Sequence, residues 1–231
     1  MRDHPNAIML FAAGFGTRMR ELTKHQPKPL VRVANRTLLD HALEQVNQYT
    51  PLKKVVNCHY FPEQVKAHLS NQKDITIVEE RDIILETGGG LKNALPLLGS
   101  NPVFTMNTDA VWKGPNALST LLESWNPKEM DALLLCIPKE NAIGHKGNGD
   151  FILADNGQLT YGAGDVYTGV QIIKTDLLSE INETSFSLKL LWEKLLAHNR
   201  MFGVRYAGRW CDVGTPEGIT LAEEMLGYSD V

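Results

Sequence analysis

The chain has 231 residues, 43% of them hydrophobic and 22% charged, with 19 Gly and 11 Pro, a length ample for a buried core and a composition that excludes collagen-like, low-complexity and strongly disordered classes. Its net charge of -4 offers no general field to gather nucleic acid, so any anion must be met by a local site. No apolar run approaches the roughly 20 residues that span a bilayer, and Met1-Arg2-Asp3-His4-Pro5-Asn6 lacks the apolar stretch of a signal peptide; the expectation is a cytoplasmic protein with no membrane and no nucleic acid as partner.

The first apolar run, 7–12, is short and continuous, as in a strand covered on both faces, and a Gly-rich turn follows it. Leu39, Ala42, Leu43 and Val46 then recur at helical spacing, and Val55-Val56 opens a second strand. The alternation continues with a helix over 62–69, a strand at 75–78, a helix at 91–98 and a strand at 103–106. A helix at 117–125 and a strand at 132–137 keep the scheme, but Asp155-Asn156-Gly157 inside 151–161 signals an inserted hairpin. A strand at 167–173, a helix at 188–197 and a strand at 202–206 follow. The last helix opens at Thr215-Pro216, a hydroxyl N-cap with Pro at the first helical position. This pattern predicts an α/β fold: a Rossmann-like open mixed, mostly parallel sheet sandwiched by helices, with a small antiparallel insertion. No linker-like stretch divides the chain, so 1–231 reads as a single domain, its nucleotide-binding half at about 1–115 and its substrate-facing half at about 116–231. Cys58, Cys136 and Cys211 are scattered and form no CxxC, and the histidines form no HExxH, so the cysteines read as core residues and zinc chemistry has no support.

In open α/β sheets, ligands bind beyond the carboxyl ends of the strands, and the first strand runs directly into Ala12-Ala13-Gly14-Phe15-Gly16-Thr17-Arg18. Glycines let backbone approach a phosphate closely while amide N–H groups present positive partial charge. The dinucleotide fingerprint fails, because Met19 stands where its third glycine belongs and Asp40 falls at a helix start; no GxxxxGK[ST] is present either.

What is present, Gly14-Phe15-Gly16-Thr17-Arg18-Met19-Arg20 followed by Gln26-Pro27-Lys28-Pro29-Leu30, resembles the motif of sugar-1-phosphate nucleotidyltransferases, the nucleotide-diphospho-sugar transferase type. The resemblance implies that the loop from Phe11 and Ala12 to Arg18 wraps a nucleoside triphosphate and that Lys28, held between prolines, reaches its phosphates. It further implies that Leu85-Glu86-Thr87-Gly88-Gly89-Gly90, read as a glycine loop before a helix, meets base and ribose. Glu86 is either an acceptor for the base or a cap for that helix.

The strand at 103–106 ends in Asn107-Thr108-Asp109, where the family has Asn-Gly-Asp or a close variant, and the resemblance makes Asp109 and Asp212 the ligands of Mg2+. Two separated carboxylates suit a hard cation that shares oxygens with substrate phosphates. His145-Lys146-Gly147-Asn148-Gly149-Asp150-Phe151 and Tyr167-Thr168-Gly169-Val170 make the chain most similar to the N-acetylmuramate-1-phosphate uridylyltransferase group of peptidoglycan recycling. The β-helix of bifunctional relatives is not expected. On this resemblance Gly149, Asp150, Thr168 and Gly169 line the sugar side, with Asp150 open to a second reading as a turn former; Lys28, Arg18 and Asp109 carry the chemistry. UTP, or another NTP, and a sugar 1-phosphate are the expected partners of a monomer or weak homodimer. Other bases and sugars, a non-catalytic nucleotide-sugar-binding regulator and an NAD-dependent oxidoreductase are the rival readings.

Overall fold

The computed structural model describes residues 4–49, 52–99 and 101–228; Met1, Arg2 and Asp3 of the N-terminal segment read above lie outside the described residues. Strands of the first half are β1 (Ala7–Phe11), β2 (Arg32–Val33), β3 (Arg36–Thr37), β4 (Lys53–Cys58), β5 (Ile75–Glu79), β6 (Val103–Asn107) and β7 (Ala110–Lys113). Those of the second are β8 (Ala132–Ile137), β9 (Ala142–Ile143), β10 (Phe151–Leu153), β11 (Leu159–Tyr161), β12 (Val166–Ile173), β13 (Met201–Arg205) and β14 (Arg209–Asp212). The helices are α1 (Leu38–Asn47), α2 (Pro62–Leu69), α3 (Glu86–Leu98), α4 (Ala117–Ser124), α5 (Lys189–Ala197) and α6 (Pro216–Leu226).

Strands from both halves form one seven-stranded sheet in the order β13-β8-β12-β6-β1-β4-β5. β1 runs parallel to β4 and β6, β4 to β5, and β8 to β13, while β12 is antiparallel to both of its neighbours. The sheet is therefore mixed and mostly parallel, and β10 and β11 form the antiparallel insertion at the Asp155-Asn156-Gly157 turn. Alternation along each strand splits the core in two. Ile8, Leu10, Leu133 and Leu135 pack with α1, α2 and α4 on one face, and Met9, Leu134 and Cys136 pack with α3 and α5 on the other. A strand buried on both faces needs an unbroken apolar run, which is why 7–12 and 132–137 lack polar alternation. Cys58, Cys136 and Cys211 are buried and free; burial pushes the Cys58 thiol up to about 11 and the Cys211 thiol up to about 12. Among the described residues no helix is long and apolar enough to cross a membrane.

Two features depart from expectation. α3 begins at Glu86, so Gly88, Gly89 and Gly90 lie inside its first turns and not in a loop before it. Glycine disfavours helix by about 1 kcal/mol per residue, yet close packing overrides that here. A Cβ on Gly88 would stand 2.4 Å from the Phe186 ring, and one on Gly89 2.3 Å from the Thr184 carbonyl oxygen. Gly88→Ala is accordingly expected to lower the thermal unfolding midpoint, since overpacking of this kind costs about 1–3 kcal/mol; a melt matching wild type would show that the 184–186 segment yields without cost.

The second departure is a small sheet, β7-β14-β9, in which β14 pairs antiparallel with β7 and parallel with β9. Met19, Val33, Leu38, Val111, Cys211, Ala222 and Met225 pack it against α6 as a third apolar cluster.

Candidate active site

β1 stands between β4 and β6, with Phe11 in register with Asn57 on one side and Asn107 on the other. Successive connections leave β1 in opposite directions, so a crevice opens at its carboxyl end. Two side chains fix how the backbone departs: Asn57 Oδ1 accepts from Ala12 N at 2.8 Å, and Thr108 Oγ1 donates to Phe11 O at 2.8 Å. The second bond explains Thr108 where a glycine is the more usual neighbour of the aspartate, because its buried hydroxyl ties the ends of β1 and β6 together.

The resulting cleft has a cavity volume of about 200 Å³ and opens to solvent. Phe11, Ala12, Ala13 and Gly14 form one wall, Lys28 and Pro29 another, Ile84, Glu86 and Thr87 a third, and Asn57, Asn107, Thr108 and Asp109 the floor. Thr17 and Arg18 are exposed in the 3-10 turn Thr17–Thr23 and are not part of this wall.

Lys28 follows an extended Pro27 and is only 9% exposed, and its Nζ lies 2.9 Å from Asp109 Oδ2. Gly16 makes this position possible. Its φ is 64°, its carbonyl accepts from Thr23 Oγ1 at 3.0 Å, and a Cβ there would lie 2.7 Å from Lys28 Cβ. Gly16→Ala should therefore displace Lys28 and lower turnover more than stability, read as kcat beside the thermal midpoint; a fall in midpoint alone would contradict this.

The small sheet brings Asp212 to the same place. Asp212 pairs with Ala110 across β14 and β7, and Val213 N donates to Asp109 O at 2.9 Å. Arg18 joins them: a Cβ on Gly214 would lie 3.1 Å from both Arg18 Nη1 and Asp212 Oδ2. Burial, and next the charge of Asp109, push the Asp212 carboxyl above the usual range, while Lys28, Arg18 and His145 pull it back. Among the described residues the buried His145 Nε2 has no hydrogen-bond partner.

Among the described residues no three or more His, Cys, Asp or Glu side chains gather to hold a metal. Two hard carboxylates that repel each other, a repulsion Lys28 and Arg18 only partly offset, nevertheless fit an ion that completes its shell from water and phosphate.

The remaining expected residues divide. Glu86 faces the cleft at φ 58°, a conformation costly for a non-glycine residue, and the start of α3 has no side-chain cap, so the capping alternative is not realised. Gly88 and Gly89 do not line the cleft; both amides donate to Phe186 O, at 2.8 and 3.0 Å, which removes them as free donors to a base. Gly169 has φ 89° and lies under the Asn107 side chain at a β-bulge of β12. Thr168 is 1% exposed and donates its hydroxyl to Leu135 O at 2.6 Å, so its side chain anchors that bulge and is not free to line a sugar site. Asp150 and Gly149 form a turn: Asp150 Oδ2 accepts from Tyr167 N at 2.9 Å, and Gly149 has φ 92° against Gly164. The partly buried Tyr167 feels the charges of both Asp150 and Asp109, so Asp150 belongs to the same region. Of the other lining residues, Asn57 and Ile84 belong to no motif; a polar residue near the end of the apolar run of β4 is the one signal that marks Asn57.

The profile of the MobA-like NTP transferase domain matches residues 8–203. The chain is 38% identical to N-acetylmuramate alpha-1-phosphate uridylyltransferase of Caulobacter vibrioides over 98% of its length and 99% of that protein's. It is 31% identical to the Neisseria meningitidis protein of the same name over 95% and 97% of the two chains. The crystal structure of HddC from Yersinia pseudotuberculosis shares the fold at a TM-score of 0.75 and 17% identity, covering 95% of this chain and 99% of that one. The chain belongs to the MobA-like NTP transferase domain family and is a nucleotidyltransferase.

Proposed function

We propose that the protein transfers a uridylyl group from UTP to N-acetylmuramate 1-phosphate, releasing pyrophosphate. The observation that carries this reading is the meeting of Lys28, Asp109 and Asp212 at the carboxyl end of β1, in a chain aligned along nearly its whole length with two proteins of that name. A phosphate oxygen of the sugar 1-phosphate attacks the α-phosphorus of UTP in line, the new P–O bond forms as the bond to the bridging oxygen breaks, and the electron pair leaves with pyrophosphate. A phosphate dianion is already a competent nucleophile, so no general base is required, and catalysis is alignment and neutralisation.

Lys28 holds the triphosphate through its ammonium, and the 12–16 backbone orients it. Arg18 meets the outer phosphates. Asp109 and Asp212 would hold Mg2+, which when bound supplies positive charge against the triphosphate. A unit charge about 4 Å from a phosphate oxygen is worth roughly 4 kcal/mol at an effective dielectric of 20, against about 0.3–1 kcal/mol for a helix terminus. The charged side chains therefore outweigh the loop amides. Glu86, at the mouth of the cleft, reads the base, and Gly149, Asp150 and Gly169 shape the sugar side. The setting we assign is peptidoglycan recycling in the cytoplasm, by a monomer or weak homodimer.

Pyrophosphate release across a panel of triphosphates and sugar 1-phosphates tests this. UTP with N-acetylmuramate 1-phosphate should give the highest kcat/KM. GTP with a heptose 1-phosphate, or UTP with a hexose 1-phosphate, giving the higher value would overturn the substrate assignment. No release with any pair would overturn the activity.

A further inference from the structure

Beneath the cleft lies a carboxylate that the proposed chemistry does not use. Glu80 is 4% exposed and makes no ion pair among the described residues. Its Oε1 accepts from Asn57 Nδ2 at 2.7 Å and its Oε2 from Leu85 N at 2.8 Å. Asn57, 2% exposed, uses its other atom, Oδ1, to accept from Ala12 N. The Glu80 carbonyl accepts from His59 Nδ1 at 2.6 Å, and the His59 ring packs edge-on to Phe15 of the glycine loop at 5.3 Å. Gly90 lets α3 close over the pair, since a Cβ there would lie 2.9 Å from Asn57 Nδ2 and 3.0 Å from Glu80 Oε1.

These bonds form one continuous line. It starts at the first amide of the phosphate-facing loop, passes through Asn57 and Glu80, and ends at Leu85, the residue before the strained Glu86. Every polar atom along it has a partner of the right kind, so the orientation of the Asn57 amide is fixed. Burying a carboxylate without a cation is costly unless it accepts strong hydrogen bonds, and here both oxygens do.

We infer that Asn57 and Glu80 are positioning residues that lock the phosphate-facing and base-facing walls in one relative geometry, so that the nucleotide enters a preformed cleft. This rests on the nucleotidyltransferase reading. The sugar 1-phosphate, bound from the other half, is not held by this line.

The pair can be exchanged chemically. Asn57→Asp sets two carboxylates against each other, and Glu80→Gln sets an amide N–H against a donor. In the double variant every bond returns: the new carboxylate accepts from Ala12 N and from the new amide, which in turn accepts from Leu85 N.

The test measures KM for UTP and for the sugar 1-phosphate, kcat, calorimetric affinity for a non-hydrolysable UTP analogue with Mg2+, and the thermal midpoint. Each single variant should raise KM for UTP and weaken the analogue by about tenfold, the order expected when a buried polar group loses its partner. KM for the sugar 1-phosphate should stay near wild type, kcat should move much less, and the double variant should regain most of the loss. If a single variant fails to fold, Asn57→Ser, which removes the bond to Glu80, carries the same expectation. Singles that bind the analogue as wild type does, or a double variant no better than either single, would overturn the inference. Wild-type protein that binds the analogue but releases no pyrophosphate would instead mark failure of the uridylyltransferase reading, seen separately because the analogue's affinity is read directly.

Discussion

Replacing Lys28 with alanine is expected to lower kcat by about 10² to 10³ while leaving a folded protein, the loss that follows removal of one preorganised electrostatic group. Lys28 is buried between prolines, and its Nζ lies 2.9 Å from Asp109 Oδ2. Without it, Asp109 and Asp212 lose a neighbouring cation, and the triphosphate loses an ammonium already fixed in place by Gly16. Turnover of the variant, with its thermal midpoint as a control for folding, checks this. Near-normal turnover in a folded Lys28→Ala protein would remove the residue from the chemistry.

Asp212→Asn should act in opposite directions on stability and turnover. Burial and the charge of Asp109 raise the folded-state pKa of Asp212 above its ordinary 3.8. The folded protein then binds a proton more readily than the unfolded chain, so this group's contribution to stability falls as pH rises through that window. At neutral pH the ionised carboxylate destabilises the fold. Asparagine cannot ionise, so the variant should melt above wild type at neutral pH in a chelator, and the difference should vanish only well below the ordinary value of 3.8, where both states of the wild type are protonated. Turnover should fall by about 10² to 10³ at the same time. A variant that melts below wild type at neutral pH would show that the charge at Asp212 is stabilising, contrary to its surroundings.

The layered fold was readable because both sheet faces are buried. Runs such as 132–137 have no polar break, and the helices between them show clear period. Lys28 and Asp109 are 81 residues apart in sequence, and their meeting follows from the rule that strand carboxyl ends share a crevice. Asp212 came from the family motif alone, since the strands that carry it, β7 and β14, are four residues each and their pairing is nonlocal. The glycines of α3 misled for a definite reason: propensity reads Gly88-Gly89-Gly90 as loop, whereas the 184–186 segment about a hundred residues later requires helix without side chains there. Thr168 failed similarly. Nothing local distinguishes a hydroxyl facing a ligand from one facing the Leu135 carbonyl across a bulge. The Asn57–Glu80 line has no motif because it is defined by partners on β1, β4 and α3 at once.

Uridylyl transfer by this mechanism requires the two acids and Lys28 to serve one ligand. Crystals grown with manganese and a non-hydrolysable UTP analogue test that directly through the anomalous signal of the metal. A peak within coordinating distance of both Asp109 and Asp212, with Lys28 turned to the phosphates, is the expected result; a metal bound elsewhere, or phosphates lying away from Lys28, would contradict it.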